Sequence, residues 1–107
     1  MNVEILYVAD CPSYPAAVQK VRDILAAEGV AADIRQVLVS DARMADRLRF
    51  CGSPTIRING RDVGGEARNA QTFALSCRLY AGSKQVGLPP AGMIRRAVLK
   101  AREGDKP

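Results

Sequence analysis

The sequence predicts an α/β fold: a mixed four-stranded sheet flanked by helices, with the elements in the order βαβαββα. Residues 2–9 and 34–39 are β-rich runs, and apolar residues recur at helical spacing between them, which is typical of a βαβ unit with parallel strands. Further along, Asn59-Gly60 separates two short alternating runs, and this dipeptide is preferred in the tight turns of antiparallel hairpins. Together these patterns predict parallel and antiparallel pairing in one sheet.

Helix boundaries follow from apolar periodicity and from capping residues. The periodicity predicts a first helix over residues 13–28. Ser40 is a suitable N-cap for a second helix, which we expect to end near residues 50–52. A third helix follows Pro90, and its apolar stripe consists of Met93, Ile94, Ala97, Val98 and Ala101.

The segment between the hairpin and the last helix, residues 64–88, has the weakest pattern. A Gly-Gly break and a polar stretch open it, and we expect a short helix and an extended excursion. Its apolar residues Leu75, Leu79 and Val86 are predicted to cover the core.

The length and composition of the chain are those of one globular domain. It has 107 residues, of which 48% are hydrophobic and 25% charged, as in ordinary folded domains. We expect a single domain over residues 1–103 and a flexible tail over 104–107. No basic segment precedes the short apolar run at the N-terminus, so we expect neither a signal peptide nor a membrane span and place the protein in the cytoplasm.

The protein is basic, with a net charge of +5, but its pattern argues against a nucleic-acid partner. The arginines are spread over several segments, aromatic residues make up 5% of the chain, and no motif of a nucleic-acid-binding fold occurs. We interpret the charge as a solvated basic surface. Nothing in the sequence indicates whether the chain forms oligomers.

The three cysteines, at positions 11, 51 and 77, are the candidate chemical groups. An odd number is not typical of a small secreted domain held by disulfides, so we expect free thiols in a reducing compartment. The chain contains no histidine, which removes the commonest general base and metal ligand. No two cysteines have C-x-x-C spacing, so we expect no zinc site and no bound cofactor.

Cys11 lies where the first strand ends and the first helix begins. There the unpaired backbone N–H groups of the first turn and the positive end of the helix dipole favour a thiolate over a thiol. We therefore expect Cys11 to be a nucleophile of raised reactivity. The alternative is a buried cysteine that only packs.

The order strand, cysteine, helix, strand, helix, Ser-Pro, hairpin and helix resembles that of thioredoxin-like and glutaredoxin-like proteins. In that family a nucleophilic cysteine follows the first core strand, and a cis-proline opens the third strand beside it. Cys11 and Pro54 match these two positions. The resemblance implies a thioredoxin-like fold, a cis bond before Pro54 and a backbone contact between Ser53 and an extended substrate.

The motif Cys11-Pro12-Ser13-Tyr14 has a tyrosine where dithiol members of the family have a second cysteine. A mixed disulfide on Cys11 must therefore be resolved by a distant cysteine or by an external thiol. The Cys-Pro opening is closer to glutaredoxins. Tyr14 is a candidate to cover the Cys11 thiol or to hydrogen-bond it, and filling the groove is its simpler role.

Cys51 is the first candidate for the resolving thiol, because the family geometry brings its loop alongside the start of the first helix. A separation within disulfide range is plausible there, and a packing role is equally open. Cys77 is the second candidate, with Arg78 beside it to stabilise a thiolate, although we favour packing for it. Glutathione or another protein is the external choice.

The sequence therefore predicts a thiol-dependent redox protein, a disulfide reductase or a glutathione-linked carrier, with Cys11 as nucleophile. Its partner would be a protein disulfide or a small thiol, with glutathione as co-substrate. The alternative is a protein that binds soft metals or organomercurials through thiolates without redox turnover. The pattern also resembles small bacterial thioredoxin-fold proteins related to alkylmercury lyase, whose catalytic residues have no match here. A third hypothesis is an interaction module without a catalytic thiol.

Overall fold

The computed structural model describes residues 1–65, 67, 70–71, 73–80, 82–83 and 87–104. Within this part of the chain the helices and strands follow the predicted order and form an α/β fold with a mixed four-stranded sheet. They are β1 (Asn2–Tyr7), α1 (Tyr14–Ala27), β2 (Asp33–Leu38), α2 (Ala42–Arg47), β3 (Thr55–Ile58), β4 (Arg61–Asp62) and α3 (Ala91–Gly104).

In the strand order β2-β1-β3-β4 the two central strands, β1 and β3, are neighbours, so two loops meet at one end of these strands. β1 is parallel to β2 and antiparallel to β3, and β3 is antiparallel to β4. Leu6, near the end of β1, pairs with Thr55 at the start of β3. The segment after β1 and the segment before β3 therefore meet, and they contain Cys11 and Pro54.

The turn between β3 and β4 confirms the prediction from Asn59-Gly60. Both residues have a positive φ, 51° and 82° respectively, as a type I′ hairpin turn requires. The Asn59 side chain also accepts a hydrogen bond from the Asn2 N–H at 2.9 Å. This contact attaches the turn to the start of the central strand.

Apolar clusters cover both faces of the sheet. On the face of α1 and α3 the buried residues are Val3, Ile5, Ala17, Val21, Ile24, Leu25, Ile56, Ile58, Ile94 and Val98. On the face of α2 they are Leu6, Val39, Ala45 and Phe50. Because neighbouring side chains of a strand point to opposite faces, β1 contributes to both clusters, as a central strand does.

The first and last helices lie close to their predicted positions. α1 ends before Gly29, which has a left-handed φ of 64°, as is common after a helix. α3 follows Pro90 and extends to Gly104, and the rest of the predicted tail, 105–107, lies outside the described residues. In the described chain, no helix has the length and apolar character needed to cross a membrane.

The second helix differs from the prediction at both ends. Asp41, not Ser40, is its N-cap, because the Asp41 carboxylate accepts a hydrogen bond from a first-turn backbone N–H at 2.8 Å. The helix ends at Arg47 and not near residues 50–52. Arg49 takes a left-handed φ of 52°, which a right-handed helix cannot include.

The segment before α3 buries different side chains from those predicted. Leu75 and Leu79 are 45% and 74% exposed, so the prediction that they cover the core is wrong, and Val86 lies outside the described residues. Arg78 and Tyr80 are buried instead, at 2% and 5% exposed. In extended backbone successive side chains alternate in direction, so these two face inward while Leu79 faces outward.

Candidate functional site

Cys11 lies in the turn between β1 and α1. Its carbonyl accepts a hydrogen bond from the Tyr14 N–H at 3.3 Å, which directs the chain from the strand into the helix. The thiol is partly exposed, and it lies at the N-terminal end of a 14-residue helix. Backbone N–H groups and the helix dipole favour an anion at such a position. A small reagent can therefore reach the Cys11 sulfur.

The loop before β3 lies at the same end of the central strands as Cys11. The peptide bond between Ser53 and Pro54 is cis, as the resemblance implies. The Ser53 hydroxyl accepts a hydrogen bond from the Val8 N–H at 3.1 Å. Since Val8 directly follows β1, this bond ties the proline loop to the segment that leads into Cys11.

Gly87 lies between the start of α1 and the proline loop. A Cβ atom added to it would be 2.7 Å from the Ser13 hydroxyl and 3.3 Å from Pro54 Cδ. Its φ of 83° is also in the left-handed region that favours glycine. The motif that contains Cys11 and the loop that contains Pro54 are therefore neighbours, separated by the width of one glycine.

Residues 76–80, which we call the strap, pair with the proline loop. The Ser53 N–H donates to the Ser76 carbonyl at 2.7 Å, and the Arg78 N–H donates to the Ser53 carbonyl at 3.0 Å. Cys77 is thereby bridged to Ser53 in parallel orientation. The backbone groups that Ser53 was predicted to offer to an extended substrate are thus occupied by the protein itself in this conformation.

A buried ion pair anchors the strap to β4. The Arg78 guanidinium donates to both carboxylate oxygens of Asp62, at 2.6 and 2.7 Å, in the bidentate geometry that makes such pairs strong. Their side chains are 2% and 9% exposed. The Arg78 guanidinium, which the sequence offered as a partner for a Cys77 thiolate, is thus engaged with Asp62.

Tyr80 forms a second anchor of the strap. Its ring lies under the Arg78 guanidinium, 4.2 Å from the guanidinium carbon to the ring centroid, a cation–π arrangement. Its hydroxyl donates to the Pro54 carbonyl at 2.5 Å. The strap is thus fixed at one side to β4 and at the other to the proline loop.

The other two cysteines lie at different places near this site. The Cys51 thiol is half-buried and lies 3.6 Å from the Arg49 carbonyl, beyond the end of α2. Cys77 is exposed on the strap, and none of the three cysteines forms a disulfide in this structure. The pairing of Cys51 with Cys11 stays a prediction.

Tyr14 packs against the sheet. Its ring stacks on that of Tyr7, with centroids 3.7 Å apart and planes at 7°, and its hydroxyl donates to the Gln36 side chain on β2. The hydroxyl is therefore directed to β2 and does not serve as the predicted hydrogen-bond donor to Cys11. Burial raises the pKa of Tyr14 above its ordinary value, and the neighbouring Tyr7 raises it further.

Comparisons with family models, curated proteins and solved structures found no match to this chain. Among the described residues, no group of three or more acidic or cysteine side chains lies together in a way that could hold a metal ion. The chemistry proposed for the site therefore rests on the geometry of its residues.

The sequence analysis missed the anchors of the strap, Asp62, Arg78 and Tyr80. An arginine is rarely buried, so no sequence pattern distinguishes Arg78 from the solvated arginines around it. The one available signal is the alternation over residues 77–80, which is compatible with extended backbone but does not say which face is inside.

Replacing Asp62 by alanine is expected to lower the free energy of unfolding by about 3 kcal/mol, because it leaves the buried Arg78 charge without its carboxylate. Urea denaturation measures the loss. The control is Glu28→Ala, which removes surface contacts to Arg95 and Arg102 at 3.2 and 3.8 Å and should cost less than about 1 kcal/mol. Equal losses in the two variants would contradict the anchoring role of the Asp62 pair.

The raised pKa of Tyr14 predicts a loss of stability in alkaline solution. The folded state holds this proton more tightly than the unfolded chain, so the stabilisation is present below the ordinary pKa of 10.0 and is lost as the pH rises through the raised value. As the pH rises above about 9, the free energy of unfolding should fall more steeply in the wild type than in Tyr14→Phe. Parallel curves would show that the Tyr14 environment does not differ between the two states.

Proposed function

We propose that the protein is a thiol-dependent redox protein with a thioredoxin-like fold, in which Cys11 is the nucleophile of thiol–disulfide exchange. The observation that carries this proposal is the position of Cys11, partly exposed at the start of α1 and next to the cis Ser53–Pro54 loop. The order of the elements and the mixed sheet support the thioredoxin-like assignment. Free thiols suit a reducing compartment, and we propose the cytoplasm as the location.

The proposed reaction is a two-step exchange at the Cys11 sulfur. The Cys11 thiolate attacks one sulfur of a disulfide, a new S–S bond forms, and the other half leaves as a thiolate that takes a proton from water. A second thiol, as its thiolate, then attacks the mixed disulfide and releases Cys11. We propose glutathione or a similar small thiol for this second step. In the internal alternative, the Cys51 thiolate attacks the Cys11 sulfur, the substrate half leaves as a thiolate, and a small thiol then reduces the resulting Cys11–Cys51 disulfide.

The start of α1 supplies the electrostatic support for the first step. A cysteine thiolate is the attacking species, and it is favoured at a helix N-terminus. Tyr14 and Arg78 are engaged with Gln36 and Asp62 respectively, so neither is assigned the role of activating the thiol. The backbone of the first helical turn is therefore the proposed source of activation.

Replacing Cys11 by serine is expected to abolish glutathione-dependent reduction of a small disulfide such as bis(2-hydroxyethyl) disulfide, because a hydroxyl does not form the mixed disulfide. Turnover is measured through the oxidised glutathione released. Cys77→Ser is the matched control and should retain wild-type turnover. Cys51→Ser should slow the reaction only where Cys51 is the resolving thiol.

Full turnover by Cys11→Ser would contradict the proposal. The soft-metal alternative expects a different result: a stoichiometric mercury adduct that joins two cysteines, seen by mass spectrometry, in a wild-type protein that shows no disulfide turnover.

A further inference from the structure

We infer that the strap closes the Cys11 site to extended polypeptides, so that the folded protein exchanges thiols with low-molecular-weight disulfides. This inference rests on the proposed function and names the substrate class of the same site. Its basis is that residues 76–78 occupy the backbone edge of Ser53 next to the Cys11 motif.

An extended peptide usually binds beside a reactive group by adding a strand to a backbone edge, because main-chain hydrogen bonds supply much of its affinity. At this site the backbone N–H and carbonyl groups beside the Cys11 motif are those of Ser53. The Ser53 N–H is bonded to the Ser76 carbonyl at 2.7 Å, and the Ser53 carbonyl is bonded to the Arg78 N–H at 3.0 Å. A peptide would have to displace both bonds to pair there.

The strap is held on its other sides as well. The Arg78 carbonyl accepts a hydrogen bond from the Gly87 N–H at 2.9 Å, while the Arg78 side chain is held by Asp62. A Cβ atom on Gly52 would lie 3.0 Å from the Arg78 Cα, so the backbones are in close contact. Displacing the strap would separate a buried ion pair, and leaving a buried charge unpaired is strongly unfavourable.

A small disulfide can react at Cys11 without backbone hydrogen bonds to Ser53. Exchange requires only that one of its sulfur atoms reach the Cys11 sulfur in line with the bond that breaks. The Cys11 side chain is partly exposed while the strap is in place. The exchange then proceeds as in the proposed reaction, with the small disulfide as oxidant and a small thiol as reductant.

The test compares two probes that carry the same reacting bond. One is N-acetylcysteine methylamide in mixed disulfide with 2-nitro-5-thiobenzoate, and the other is an unstructured nonapeptide with the same mixed disulfide on its central cysteine. The rate of release of the coloured thiol by Cys11 is measured in a Cys51→Ser, Cys77→Ser background. We expect the small probe to react about tenfold faster or more, the factor that corresponds to the one or two Ser53–strap hydrogen bonds that the peptide has to displace before its backbone fits beside Cys11.

Asp62→Asn in the same background releases Arg78 from its carboxylate and should bring the two rates together by accelerating the peptide probe. Glu28→Gln makes the same carboxylate-to-amide change in the surface pairs with Arg95 and Arg102 and should keep the discrimination of the background protein. Slow amide exchange of core residues is the criterion that Asp62→Asn is folded. The comparison of the two probes in the background protein does not depend on this variant.

The outcomes separate the two levels of the proposal. Similar rates for both probes in the Cys51→Ser, Cys77→Ser background would overturn the inference and leave the proposed function standing. Discrimination that persists in folded Asp62→Asn would overturn the role of the Arg78 anchor. A Cys11 that reacts with neither probe would overturn the proposed function itself.

Discussion

The buried ion pair between Arg78 and Asp62 is the contact on which the arrangement of the candidate site depends. It joins the strap to β4, in the hairpin at the edge of the sheet. Two charges removed from water are tolerated only when they compensate each other and are hydrogen-bonded. The bidentate geometry meets this condition and thereby fixes the direction of the strap.

The arrangement of the candidate site follows from the direction of the strap. With Arg78 held inward, the strap backbone lies against Ser53, and Tyr80 reaches the Pro54 carbonyl. The same alternation turns Cys77 and Leu79 outward. The Cys11 thiol, which lies in the turn between β1 and α1, keeps its exposure in this arrangement. The fold thus leaves the Cys11 sulfur partly exposed, while the backbone groups of Ser53 are hydrogen-bonded within the protein.

The sheet and most of the helices could be predicted because they depend on residues that are close together in the chain. The runs around β1 and β2, the Asn59-Gly60 turn and the apolar stripe of α3 each depend on nearby residues, and each lies close to where the sequence placed it. The position of Cys11 in the turn before α1 could be predicted for the same reason, since a helix start is a local feature. The helix caps are less certain from sequence because Ser40 and Asp41 are both good N-cap residues.

The strap could not be predicted because its contacts join residues far apart in the chain. Asp62 and Arg78 are ordinary surface residue types, and their burial depends on each other. Leu75 and Leu79 were expected inside on hydrophobicity alone, yet they lie outside because Arg78 and Tyr80 take the inner face. A resemblance based on Cys11 and Pro54 carries no information about a segment beyond the hairpin.

The order in which the free thiols react tests the central claim most directly. The wild-type protein is treated at neutral pH with a limiting amount of iodoacetamide, and the modified cysteine is identified by mass spectrometry at successive times. On exposure alone Cys77 would react first, since it is the more exposed thiol. The account predicts that Cys11 reacts first, because the start of α1 favours its thiolate. Modification of Cys77 ahead of Cys11 would contradict the assignment of Cys11 as the nucleophile.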